Sequence, residues 1–437
     1  MRQRRMKIGV AVAAAAALVL SACGGGAQPS ADGEDVAAGP GASAWGLTGG
    51  TNEQIWKGSF ERWNEENPDR EIKTDWFAND AYKEKVRTAI GSGNAPTLIF
   101  GWGGSTLRDY AEADKIVDIT DGTADVVSKL IPSIAEGGII DDQVFGIPNV
   151  GTQPVLFFYN QELFEEVDLS VPTTWDELLE AVDTFNEAGI TPISLAGASK
   201  WTDMMWLEYL VERIGGPEVF KSIEANEPDA WSDPAVLEAV EAAQDLVRAG
   251  AFGDAFGSVS ADANADVALV HTGKAAMLLQ GSWAYGTFLT DAPDFVADGN
   301  LGVAGFPDVE DGAGDPANIV GNQSNFWSVS AADSEDAQAD ATEYLNTLFD
   351  DEYVQAMVDG GAIPPTVGAE ELIEGSDQEE FLTLGYDLVQ NSPSFQLSWD
   401  QALPADTAQT LLDNIQRVFT LDISPEQFAD EMNATIK

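Results

Sequence analysis

One histidine and one cysteine in 437 residues exclude much of the chemistry that a chain of this length could otherwise offer. A zinc site of several His or Cys ligands cannot be built, no intrachain disulfide can form, and Ser-His-Asp or Cys-His catalysis would rest on His271 alone. That histidine is expected at a helix C-terminus, where a cation is favoured. Basic residues are scarce as well, 21 against 74 acidic ones, for a formal charge of −53. Nucleic acid is therefore not an expected partner, a strongly anionic ligand is disfavoured, and a neutral one is unaffected. The glycine-rich stretches 46–50 and 101–105 lack the GxGxxG and GxxxxGK[ST] spacings of phosphate loops, so no nucleotide site is expected. The acidic stretch 308–318 has the composition of a calcium loop without its spacing and reads as a solvated loop. Neither a metal nor a cofactor is called for. Carboxylate-only catalysis, as in glycoside hydrolases, stays open on composition, but no acid pair stands out by context.

Apolar runs of membrane-spanning length are missing throughout. The longest lies at the start, where Arg2, Arg4, Arg5 and Lys7 precede an apolar segment at 8–20 that is short for a span and reads as an export signal over 1–22. LSAC at 20–23 then has the pattern of a bacterial lipobox, with Cys23 as the lipidated residue. The Gly-, Ala-, Pro- and acid-rich segment up to residue 43 is expected to be a disordered tether.

From residue 44 the chain alternates between short apolar runs and amphipathic helical patterns, βαβαβ first, as an α/β fold with parallel strands requires. Thr51 with Gln54, and Thr174 with Glu177, have capping-box spacing, and Gly189 closes the second helix. Ligands in doubly wound sheets collect beyond the carboxyl ends of the strands, which puts 46–50 and 101–105 on one edge. FGIPN at 145–149, a linker, and the apolar run VLFFY at 155–159 form an elbow. It is either a loop inside one domain or a hinge between two lobes, the chain being long for a single core.

The elbow followed by Tyr159, Asn160 and Glu162 resembles the first interlobe crossing of extracytoplasmic solute-binding proteins of sugar ABC transporters. PTTWDEL at 172–178, GKAAM at 273–277 and GSW at 281–283 are similar to segments of that family. The resemblance implies a two-lobed, type II periplasmic-binding-protein-like α/β fold, each lobe a sheet flanked by helices, joined by a multi-strand hinge. It further implies lobes of 44–150 with 326–370 and of 151–325 with 371–437. The implied activity is capture of a neutral oligosaccharide, without catalysis, by a monomer. The implied partners are the transmembrane subunits of an ABC permease, and the membrane through the lipid on Cys23. FQLSWDQA at 395–402 resembles actinobacterial proteins that bind xylo-oligosaccharides. The alternatives are a secreted carboxylate-dependent glycosidase and a binder of a cationic or polyol solute.

Twelve tryptophans are present, several in glycine-rich or polar segments. Pyranose rings have an apolar C–H face and a rim of hydroxyls, and are held by aromatic faces with fixed donors and acceptors. Trp102, Trp201, Trp206, Trp283 and Trp399 are the candidates for stacking, with core packing the alternative for each. Asn149, Asp203, Asn322 and Asp400 are the candidates for the hydroxyls. Trp45, Trp56, Trp63, Trp175 and Trp231 lie in patterns that packing already explains.

Overall fold

The computed structural model describes residues 41–436, so the expected signal 1–22, Cys23 and most of the expected tether lie outside the described residues. At the end of the expected tether, Ala42 is buried and its carbonyl accepts the Lys73 N–H, fixing the start of the first strand. In chain order the strands are β1 (Ser43–Leu47), β2 (Lys73–Phe77), β3 (Leu98–Gly101), β4 (Ile139–Ile140), β5 (Gln143–Val144), β6 (Ile147–Pro148) and β7 (Gln153–Asn160). They continue with β8 (Thr191–Ser194), β9 (Ala275–Gly281), β10 (Leu301–Ala304), β11 (Ile319–Asn322), β12 (Phe326–Val329) and β13 (Phe395–Leu397). Among the described residues no helix is long and apolar enough to cross a membrane.

Two large sheets organise these strands apart from β4 and β5, which form a separate antiparallel pair. The first has the order β2-β1-β3-β12-β6, with β1 parallel to β2 and β3 and with β12 antiparallel to β3 and β6. The second runs β13-β11-β7-β9-β8, with β10 also on β7. The apolar run of β7 is explained by its central place: Val155 and Phe157 enter the core shared with Trp206, while Leu156 and Phe158 enter another with Phe288 and Phe381. Alternate side chains of a strand point to opposite faces, so this sheet is covered on both.

The elbow is where the chain leaves the first sheet, after β6, to enter the second at β7; it returns through residues 323–325 between β11 and β12. These passages are tied together. The Asn149 N–H donates to the Asn325 carbonyl at 2.8 Å, the Ser324 hydroxyl to the Val150 carbonyl at 2.8 Å, and the Thr152 N–H to the Ile363 carbonyl at 2.9 Å. The result is a two-lobed α/β fold with a multi-strand hinge.

The Thr174–Glu177 capping box and the left-handed Gly189 are both formed. The capping box expected at Thr51 is not. That helix starts earlier, at Gly50, after Gly49 at φ 117°, and the Gly49 N–H is taken at 2.7 Å by the Glu53 carboxylate. The Thr51 hydroxyl donates instead to the Gly360 carbonyl at 2.6 Å, a long-range contact that local spacing does not announce. His271 occupies the last turn of the helix Ala265–His271, as expected.

Candidate ligand-binding site

The carboxyl ends of the strands of both sheets converge on one cleft of about 410 Å³. Leu47 ends β1 and residues 48–50 follow it, Trp102 follows β3, Trp283 follows β9, Asn322 ends β11, and Asp400 follows β13. Trp201 and Met205 come from the first turns of the helix Trp201–Gly215. A wider groove of about 820 Å³ along the helix Glu379–Asn391 has no aromatic wall and draws on little beyond that helix. The 410 Å³ cleft is the better candidate because it gathers side chains from both sheets and from the passages between them.

Aromatic faces flank the cleft on either side. Trp56 and Trp102 come from the elements of the first sheet; Trp201 and Trp283 come from those of the second, with ring centroids 6.1 Å apart and planes inclined by 55°. Two backbone features place the latter pair. Lys200 sits at φ 61° immediately before Trp201, a conformation that L side chains rarely adopt and that a surrounding structure must enforce. A methyl group on Gly281 would collide with the Trp283 ring, so glycine is what lets the indole fold back over its own strand end.

Between the walls lies a floor of side-chain amides. Gln153 begins β7, Asn322 ends β11 and Asn325 precedes β12, all at the passages between sheets. Each is buried, and the amide oxygen of each has no partner within the protein. Such a group costs about 1–3 kcal/mol when left unpaired, and each amide also carries two N–H donors, so the floor can exchange hydrogen bonds with the hydroxyl rim of a ligand. Gln280 also lines the cleft and donates to the Asp266 carboxylate at 2.9 Å; burial, offset by that bond, raises the Asp266 pKa.

Charge in the cleft is predominantly negative. Burial pushes Glu53 up, but the bonds from Lys57 and the Gly49 N–H, with the Lys57 charge, outweigh it and hold the carboxyl below its ordinary range. Across the mouth, the Asp262 carboxylate accepts from the Asp80 N–H at 3.1 Å. Burial first, and then the charge of Asp262, raises the Asp80 pKa, with Lys83 opposing. Lys83 pairs with Asp400 at 3.3 Å and stands 5.0 Å over the Trp102 ring.

Of the nine candidates read from the sequence, Trp102, Trp201, Trp283, Asn322 and Asp400 line the cleft. The other four do not. Trp206 is fully buried, with its ring against Phe157, Phe252 and Phe306. Five positions after Trp201 is about 140° around the helix, which turns it from cleft to core. Asp203, two positions after Trp201 and so about 200° around the helix, is buried as well, and neither of its carboxylate oxygens has a partner. Trp399 is sealed against Phe220, centroids 5.0 Å apart and planes 4° apart, while its neighbour Asp400 faces the cleft. Asn149 lies below the floor: its carbonyl accepts the Trp56 indole N–H and the Tyr353 hydroxyl, each at 2.6 Å, and its side-chain amide is buried without a partner. Sequence reading overlooked Gln153, Asn325, Gln280 and Lys83; Trp56, read as a packing residue, is buried in the core of the first sheet and also borders the cleft. The position of Gln153 at the elbow and of Gln280 at a strand end were the available signals; nothing local marked the others.

A family model described as bacterial extracellular solute-binding protein matches residues 49–355, and the chain belongs to that family. The chain is 27% identical over 257 residues to the xylose/arabinose-binding protein XacG of Haloferax volcanii, covering 56% of this chain and 54% of that one. It is 28% identical over 207 residues to a probable sugar-binding periplasmic protein of Brucella melitensis, covering 47% and 48%. The chain thus spans about half the length of these curated relatives. A solved structure from work on xylan utilisation by the thermophilic bacterium Caldanaerobius polysaccharolyticus superposes with a TM-score of 0.80 at 27% identity, over 91% of this chain and all of that one.

Proposed function

We propose that this protein is the extracytoplasmic binding component of an ABC importer, capturing a neutral oligosaccharide between two closing lobes and delivering it to the transmembrane subunits of a permease. The observation that carries this reading is the cleft itself, with tryptophans on both flanks and amide acceptors at the passages between sheets, an arrangement suited to sugar faces and hydroxyls. A ligand that touches both walls favours the closed arrangement by its differential affinity for it. Xylo-oligosaccharides are the proposed ligands: the resemblance of residues 395–402 supports them, as do the xylose/arabinose-binding relative and the solved structure from work on xylan utilisation.

The lobes are proposed as 44–150 with 326–370 and 151–325 with 371–437, acting as a monomer. Lipidation of Cys23 would hold them at the outer face of the cytoplasmic membrane. Binding in place of hydrolysis is favoured because the cleft carboxylates are engaged, Glu53 by Lys57, Asp262 by the Asp80 N–H, Asp266 by Gln280 and Asp400 by Lys83. Calorimetric titration against xylo-, gluco-, galacto- and chito-oligosaccharides tests the proposal, with reducing ends assayed after incubation. Binding of at least one series without release of reducing ends is expected. A folded protein that binds none of the panel, or that releases reducing ends, overturns it.

A further inference from the structure

We infer that the cleft sorts saccharides by charge and that Asp400 is the residue that sets the sorting, so that uronate-bearing oligosaccharides are rejected in favour of their neutral counterparts. The inference rests on the saccharide reading of the cleft and adds to it a discrimination within that class.

Among the described residues lining the cleft, Lys83 is the one cation, against Glu53, Asp262, Asp266 and Asp400. A sugar carboxylate entering this space needs a counter-charge, and Lys83 is the side chain that could supply it. It is already committed. Its ammonium is paired with Asp400 Oδ2 at 3.3 Å and lies against the face of Trp102, 5.0 Å from the ring centre. The Asp400 side chain is 8% exposed and that of Lys83 is 27% exposed, so water screens the pair only in part. The floor does not carry the sorting: the side-chain amides of Gln153, Asn322 and Asn325 hold N–H donors as well as carbonyl acceptors, and so serve hydroxyls and carboxylates alike. A uronate meets a lining of net negative charge whose cation is already taken, because Asp400 occupies its natural partner.

The pairing has a direction that can be reversed. Asp400→Asn keeps the shape of the side chain but removes its charge, which frees Lys83 to meet a ligand carboxylate. Lys83→Met removes the cation and leaves Asp400 facing the cleft alone, which deepens the rejection.

The test is calorimetric titration of wild type, Asp400→Asn, Lys83→Met and the double variant, each checked for folding by thermal melt. The probes are matched pairs: xylotriose and the same trimer bearing a glucuronosyl branch, cellobiose and cellobiouronic acid, galactobiose and digalacturonate. The expected result is that wild type binds the neutral member of any recognised pair at least tenfold more tightly. Asp400→Asn should narrow that ratio at least fivefold, and adding Lys83→Met should cancel the narrowing. Equal affinity of wild type for both members overturns the inference while leaving the saccharide reading in place. So does a ratio that Asp400→Asn leaves unchanged. Should Asp400→Asn fail to fold, a ratio that fails to widen in Lys83→Met also overturns it. Failure of wild type to bind any neutral member overturns the saccharide reading, and this inference with it.

Discussion

Replacing Asp203 by Asn isolates the consequence of one buried acid. The residue is 1% exposed, neither carboxylate oxygen has a partner, the Thr202 hydroxyl being given to the Ala196 carbonyl, and burial pushes its pKa from 3.8 to about 8. The folded value lies above the unfolded one, so over the interval between them the native state keeps a proton that the unfolded chain has released. The stabilising contribution is complete below the unfolded pKa and is lost as pH rises toward about 8. Each pH unit of that window corresponds to about 1.4 kcal/mol. The whole amounts to on the order of 5 kcal/mol as an upper bound, a large share of the 5–15 kcal/mol by which domains are ordinarily stable. Asn has nearly the same shape and no charge at any pH. Calorimetric melting of both proteins in steps from about pH 5 to about pH 8 should show the variant gaining on wild type with each unit, by several degrees at the upper end. Glu208 and Asp266, whose pKa values burial also raises, are present in both proteins and cancel in the difference. A difference that stays flat, or that grows as pH falls, would refute a buried, proton-holding Asp203.

Trp283→Ala should weaken binding of the oligosaccharide recognised in the panel at least tenfold with a modest change in melting temperature, since anchor truncations commonly cost about 2 kcal/mol or more of binding. Trp206→Ala should do the reverse, because emptying a packed interior of an indole costs about 3–5 kcal/mol of stability; a variant pair with the opposite pattern would exchange the two roles. Cys23→Ala should release the protein from the membrane fraction, and retention there with the processed mass of wild type would rule out the lipid anchor.

Much of the architecture could be read locally. The run at 155–159 became the central strand of the second sheet, the Thr174–Glu177 box and Gly189 bound their helix as spaced, and the glycine-rich ends of β1 and β3 arrived at the cleft edge. Local reading failed where a distant partner decided the outcome. Thr51 abandoned its cap for the carbonyl of Gly360, and Lys83 gained its role from Asp400, more than three hundred positions away.

The tryptophans mark the boundary between the two kinds of information. Polar and glycine-rich context was enough to single out Trp102 and Trp283. The same context surrounded Trp399, yet its indole lies flat on Phe220 while Asp400, the next residue, faces the cleft. Sequence alone determined the alternation of strands and helices and the strand ends where a ligand site belongs, because periodicity and turn chemistry act over a few residues. Which side of each short turn meets the opposite lobe and which meets its own core was decided by the tertiary structure. That choice depends on which distant element packs against each face, and no local pattern encodes it.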